Sequence, residues 1–276
     1  MKFGHLEIPL ASFKPIEEPR FWFQGSSNQG NIYFGSTNWT EAYWKGLIYP
    51  PKAKPNEFLS HHSRFFNTIE LNTTFYRNPG VEQILKWKNA TPEHFMFCPK
   101  VPSRISQSKL LGTDTELWSE FETSVQHFDS QLGPCFLQLP EYFDRSRSNI
   151  VEELISGNFF HKNILIEFRH SSWFSSSENL EKICSLLSSK NNGLVITDTP
   201  GRQDVLHNNI CCEKILVRFV SDGNPLHDQE RLDNWSERIE QMLSGGIKEI
   251  HFILHHPNPE QMIALTKIMM TRHTNS

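Results

Sequence analysis

Residues Ile164–Trp173 read ILIEFRHSSW, and the alternation within this stretch decides the fold. In an extended strand every second side chain shares a face. Leu165, Glu167 and Arg169 therefore look one way, and Ile164, Ile166 and Phe168 the other. One face is core; the other carries two opposite charges. Those charges form either a structural ion pair or half of an active site at the end of a buried strand.

Runs of the same kind recur along the chain. They are IYFGST (32–37), TIELN (68–72), FMFCPKV (95–101), CFLQLP (135–140), ILIEFR (164–169), GLVITDT (193–199), KILVRFV (214–220) and EIHFILHH (249–256). Between them, segments from NEFLSHHSRFF (56–66) to PEQMIALTKIMM (259–270) place apolar residues at helical spacing. Thr115 or Asp114 is positioned to cap the third helix, and Gly245-Gly246 to stop the seventh. Only the sixth connection, PGRQDVLHNNICCE (200–213), is too short and irregular for a full helix. The pattern predicts an α/β fold: a single (β/α)8 TIM-type barrel over 31–276, with a degenerate sixth helix and a Pro-rich N-terminal arm over 1–30. An open doubly wound sheet is the alternative, but no G-x-G-x-x-G or P-loop follows any strand to give it its usual nucleotide site.

Composition bounds the partners. The formal net charge of -4 gives no basic footprint for long nucleic acids or anionic membranes, so a small molecule is the expected ligand. The five cysteines are odd in number and contain no C-x-x-C pair, which suits reduced thiols better than a disulfide framework or a structural zinc site. MKFGHLEIPLASF lacks the pattern of a secretory signal, and no window approaches a membrane span, so a soluble, cytoplasmic protein is expected. Nothing in the sequence addresses oligomeric state.

In a barrel of this type the strand C-termini converge on the active site. Strand two offers Glu70 and Asn72, strand three Lys100, strand four Gln138, strand five Glu167 and Arg169, strand six Asp198 and strand seven Arg218. Strand eight ends in His255 and His256, of which one faces inward. Glu70, Glu167 and Asp198 stand against Lys100, Arg169 and Arg218, a mixed set that suits a polar, anionic substrate. Arg169 and Arg218 have the geometry to grip phosphate or carboxylate, Lys100 to act as a point charge or proton donor, and a carboxylate to act as base. Tyr76 and Trp173, in loops past strands two and five, are candidates to stack on a sugar or base. Glu70, Glu167, Asp198 and His255 are also ligand types for a divalent metal, but three interleaved cations compete for those carboxylates, so no metal or other cofactor is expected.

FNTIELNTTFYRNP (66–79), FCPKVPSRIS (97–106), GPCFLQLPEYF (133–143), IEFRHSSW (166–173) and ITDTPG (196–201) resemble, in order, the motifs of the YecE-like family, domain of unknown function family 72. That resemblance implies a TIM-barrel fold and no established activity. Carried onto this chain, the family's shared residues are Glu70, Asn72, Phe75, Tyr76, Lys100, Gln138, Glu167, Arg169, His170, Trp173, Asp198 and Arg218. The chain departs from the family at GSTNW (35–39), at Val220 and at His255-His256, so the strand-eight side of the pocket need not follow it. The expected function is an enzyme for a small phosphorylated or carboxylated substrate, sugar-containing ones included, with Glu70, Lys100, Glu167 and Asp198 catalytic. The binding residues expected are Asn72, Tyr76, Gln138, Arg169, His170, Trp173, Arg218 and His255. A non-catalytic ligand-binding protein and a metal-dependent hydrolase or phosphodiesterase are the alternatives.

Overall fold

Strands that are apolar on both faces need cover on both, and a parallel sheet wrapped by helices supplies it. The computed structural model, which describes residues 17–25, 30–157, 159–161 and 163–273, builds that arrangement. After a short β1 (Arg20–Phe21), the main sheet takes β2 (Asn31–Ser36), β3 (Thr68–Leu71), β4 (Met96–Pro99), β5 (Cys135–Gln138), β6 (Ile164–Glu167) and β7 (Gly193–Asp198). A two-residue β8 (Asn209–Ile210) precedes its last strands, β9 (Lys214–Val220) and β10 (Glu249–His255). Every pairing is parallel, and the order is β4-β3-β2-β10-β9-β7-β6-β5. The first and last barrel strands thus lie side by side, Asn31 against Glu249 through Gly35 against Ile253. Between β4 and β5 the seam is thinner: Gly133 N donates to Phe97 O at 2.7 Å and Val101 N to Phe136 O at 2.8 Å. The result is a nearly closed TIM-type barrel.

The helices are α1 (Phe58–His62), α2 (Thr73–Tyr76), α3 (Val81–Asn89), α4 (Ser103–Ser106), α5 (Leu117–Val125), α6 (Ser148–Ser156), α7 (Ser177–Ser189), α8 (Pro225–Ser244) and α9 (Pro259–His273). Their ends follow local chemistry. Asn224 accepts the Leu226 amide at 3.1 Å just before Pro225 opens α8, and Gly246, at φ 95°, turns the chain out of it in a conformation that favours glycine. The Thr115 hydroxyl accepts the Leu117 amide at 3.4 Å at the start of α5. No described helix is long and apolar enough to cross a membrane, and the five cysteines are buried and unbridged.

The connection between β7 and β9 contains no helix among the described residues. It lays β8 alongside β1 as a two-stranded parallel sheet. The described part of the expected arm is therefore a fixed element: Trp22 Nε1 donates to Asn209 Oδ1 at 3.0 Å, and Arg20 pairs with Glu181 at 2.8 Å. Residues 1–16 and 26–29 of that arm lie outside the described residues.

Inside the barrel, Phe136, Leu165, Val195, Leu216 and Ile253 make one apolar layer. Two residues further along their strands stand Gln138, Glu167, Thr197, Arg218 and His255, so period-two alternation stacks a polar layer directly above the apolar one. Outside the barrel, His62 on α1 is fully buried, stacked on Phe66 at 4.6 Å, with Nε2 2.7 Å from the Ser36 hydroxyl.

Burial lowers the His62 pKa to about 3. The unfolded chain, with an ordinary histidine near 6.5, takes up the proton first, so the stability His62 confers is complete above about pH 6.5 and is lost as pH falls toward 3. Each such histidine steepens the loss by up to about 1.4 kcal/mol per pH unit. Denaturant unfolding between pH 6.5 and 4 is expected to show a shallower slope for His62→Gln than for the parent. An identical slope would mean that His62 takes its proton inside the fold.

Candidate active site at the barrel mouth

Because all eight barrel strands run parallel, their C-termini open on one mouth. A cavity of about 500 Å³ lies there, lined by Glu70, Asn72, Phe75, Lys100, Gln138, Arg169, Arg218 and His255 among others. Its floor is an ionic triad. Arg218, from the middle of β9, sends Nε to Glu70 Oε2 at 2.8 Å and Nη2 to Glu70 Oε1 at 3.1 Å. Its Nη1 reaches both oxygens of Glu167, at 3.2 and 3.0 Å. All three side chains are buried. Burial works against ionisation of Glu70, but the Arg218 guanidinium, with His255 beside it, holds its carboxyl well below the usual carboxylate range. Burial likewise opposes the charge on Arg218, and Glu167 and Glu70 overcome it and push its pKa up.

Around the triad the network continues through neutral groups. Asn72 donates to Glu70 Oε1 at 2.9 Å, and His255 Nε2 lies 3.4 Å from Glu70 Oε2. Gln138 donates to Glu167 Oε2 at 2.9 Å and accepts from Lys100 Nζ at 2.7 Å. That orientation of the amide is forced, since an ammonium only donates and a carboxylate only accepts. Lys100 Nζ sits 4.5 Å over the Phe75 ring and 6.0 Å from that of Phe136. Its backbone is fixed as well, the carbonyl accepting from the Thr74 hydroxyl at 2.7 Å. Burial first, and then the nearby Arg218 charge, bring the Lys100 pKa down to about 8 despite Glu70 and Glu167. Chemically, the floor holds in Glu70 a carboxylate whose proton is already given up, and the wall holds an amine that exchanges its proton near neutrality.

The structure brings Glu70, Asn72, Tyr76, Lys100, Gln138, Glu167, Arg169, Arg218 and His255 to this mouth. Arg169 pairs with Glu141 at 2.9 Å and stands 3.9 Å from Glu167, while Tyr76, 81% exposed, stands on the rim. Of the histidine pair, His255 turns inward and His256 turns toward Asp228, with Nε2 3.9 Å from its carboxylate. Arg218, expected to grip substrate, has its donors committed to the two glutamates instead.

Three further expectations are corrected. Asp198 does not join the pocket: on β7 it is Val195 and Thr197 that face the barrel interior. Asp198 points outward to accept from Trp235 Nε1 at 2.9 Å and to pair with Arg231 at 2.8 Å. β7 is apolar on both faces, so its alternation did not tell inside from outside. Trp173 is not a rim stacking surface. The turn Ser171–Trp173 folds its indole back onto Phe168 at 4.0 Å, Nε1 donates to Phe143 O at 2.8 Å, and the residue is 2% exposed. His170 serves that same turn, its Nδ1 accepting the Ser172 amide at 3.2 Å, and is not among the cavity residues.

Sequence reading missed Thr37, Gln107 and Arg202. Thr37 and Gln107 line the cavity from loops. Arg202 comes from the irregular sixth connection, where no periodicity marks a position, and meets Glu141 at 3.2 Å beside Arg169. Arg218 fills the position between Glu70 and Glu167. Among the described residues, no three His, Cys, Asp or Glu side chains are grouped to hold a metal ion.

Removing the guanidinium alone leaves two buried carboxylates without the cation they share. Arg218→Met is expected to destabilise the protein by about 3–5 kcal/mol, and adding Glu70→Gln and Glu167→Gln to recover most of that loss. Urea denaturation of the single and triple variants checks this; equal stability of the two would mean that the triad does not act as a unit.

Residues 33–275 match the family model described as a protein of unknown function, DUF72. The chain is 25% identical to UPF0759 protein YecE of Escherichia coli K12 over 228 residues, which cover 76% of this chain and 81% of that protein. It is 27% identical over 151 residues to UPF0759 protein YunF of Bacillus subtilis 168, 52% of each chain. A DUF72 family crystal structure from Enterococcus faecalis V583 aligns with a TM-score of 0.70 at 18% identity, over 90% of this chain and all of that one. Another, from Thermotoga maritima MSB8, gives 0.68 at 20% identity over 86% and 98% of the two chains. The structural likenesses extend the agreement in fold, and the sequence match gives the assignment: this chain belongs to the DUF72 family.

Proposed function

We propose that the barrel mouth is the active site of an enzyme for a small anionic metabolite, phosphorylated or carboxylated and sugar-containing ones included, in which Lys100 moves a proton. One observation carries this reading: an amine, bonded to a neutral amide and walled by Phe75, lowered to a pKa of about 8 at the edge of an open cavity. Acid–base catalysis is most effective when the group titrates near the working pH, and its contribution is about 10²–10⁴-fold. Glu70, held far below that range by Arg218, is the poorer proton carrier and acts as scaffold. Arg169, part-exposed on the wall, is the anchor for the substrate anion. The buried, unbridged cysteines support a cytoplasmic setting.

Thermal melts of the full chain against inorganic phosphate, small phosphomonoesters and small dicarboxylates test the binding reading. Anions are expected to raise the melting temperature, and Arg169→Met to remove the effect. Stabilisation by uncharged polyols but by none of the anions would overturn it. For any metabolite turned over, Lys100→Met is expected to lower kcat by about 10²–10⁴-fold, and the parent's rate to show an inflection near pH 8. Binding without turnover across the panel would leave a ligand-binding protein in place of an enzyme.

A further inference from the structure

We propose that Lys100 is a covalent site, its Nζ condensing with the carbonyl carbon of a small anionic aldehyde or ketone, a 2-oxo acid being the simplest fit. The inference rests on the proposed anion pocket and names the substrate class that pocket would take. It begins from what Lys100 touches. Lys88, Lys182, Lys214 and Lys248 each rest on a carboxylate, Asp129, Glu152, Glu249 and Glu213 in turn. Lys100 rests on the Gln138 amide oxygen, and among the described residues no carboxylate oxygen comes within ion-pair distance of its Nζ. Gln138 is thus a neutral spacer. It holds the amine in hydrogen-bonding contact with the glutamate layer through its own bond to Glu167, yet keeps it out of a salt bridge that would lock it as ammonium.

The surroundings favour the neutral amine for the same reason. Burial and then Arg218, the cation at the centre of the floor, disfavour a second positive charge and outweigh the pull of the Phe75 and Phe136 ring faces, in keeping with a pKa of about 8. The Lys100 strand is pinned by its bridge to Phe136 and by Thr74, so the nitrogen is held at the cavity wall, and Arg169 lines the same cavity for the substrate's carboxylate or phosphate.

The step balances without an oxidant or a further reactant. The nitrogen lone pair adds to the carbonyl carbon, and the carbonyl π pair moves onto oxygen, which gains a proton to give a carbinolamine. The nitrogen pair then forms C=N as that oxygen leaves as water, the two protons of the original amine being exchanged with solvent through the open mouth. Protonated, the imine draws electrons from the neighbouring carbon, which is the chemistry a lysine of this kind supplies.

Reductive trapping tests it. The full chain is incubated at pH 8 with glyoxylate and cyanoborohydride, and the adduct located by intact mass and peptide mapping. One equivalent is expected on Lys100, formed about tenfold or more faster than on surface lysines, whose amines are almost wholly protonated at that pH. Inorganic phosphate is expected to slow labelling of Lys100 and not of the surface. Lys100→Met, which keeps the length of the side chain and removes only the amine, should stay folded and lose only the fast adduct. Labelling confined to surface lysines, or an unchanged fast adduct in Lys100→Met, would overturn the imine. If phosphate still raises the melting temperature through Arg169 in that case, the anion pocket stands and only the covalent step falls; if it does not, both fall.

Discussion

One guanidinium shared between two buried carboxylates organises the mouth of this barrel. Arg218 contacts four carboxylate oxygens, and its planar fork fixes Glu70 and Glu167 relative to each other across the barrel. Desolvating such a cluster is costly, and an apolar layer of the same volume would fold as well or better. Its presence in the barrel centre is therefore better understood as a fixed electrostatic floor than as a source of stability. Lys100 stands one residue removed from this floor, joined to it by the Gln138 amide.

The layering makes that floor effective. Beneath it, Phe136, Leu165, Val195, Leu216 and Ile253 fill the barrel with side chains that offer no hydrogen bonds. The polar groups of the triad layer can turn only to one another or upward to the mouth. A low local dielectric strengthens every interaction among them. It also lowers the Lys100 pKa, because the charged form of an amine loses more on desolvation than the neutral form does. Lys100, whose proton is mobile, thus sits on the wall, while Glu70 and Arg218, whose protons are settled, form the base.

Most of this is legible in the amino-acid sequence. Glu70, Lys100, Gln138, Glu167 and Arg218 each follow an apolar residue on a strand whose two faces differ in composition, so alternation sorted them to the interior. It failed at Asp198, because β7 is apolar on both faces and its inward residue near the end is the unremarkable Thr197. It failed at Trp173 because a three-residue turn, not a strand, sets the direction of that indole. Arg202 carried no signal at all: its place beside Glu141 depends on a connection without periodicity.

The amino-acid sequence by itself determined the eight parallel strands, their order of faces and hence the ring of polar strand ends, since a period of two along the chain becomes a period of two in space. It was silent on who pairs with whom. Whether Arg218 grips a substrate or two glutamates, whether His255 or His256 turns inward, and whether Lys100 meets a carboxylate or an amide depend on distances across the barrel. Those distances are set by strand stagger and closure, long-range quantities that no local pattern encodes.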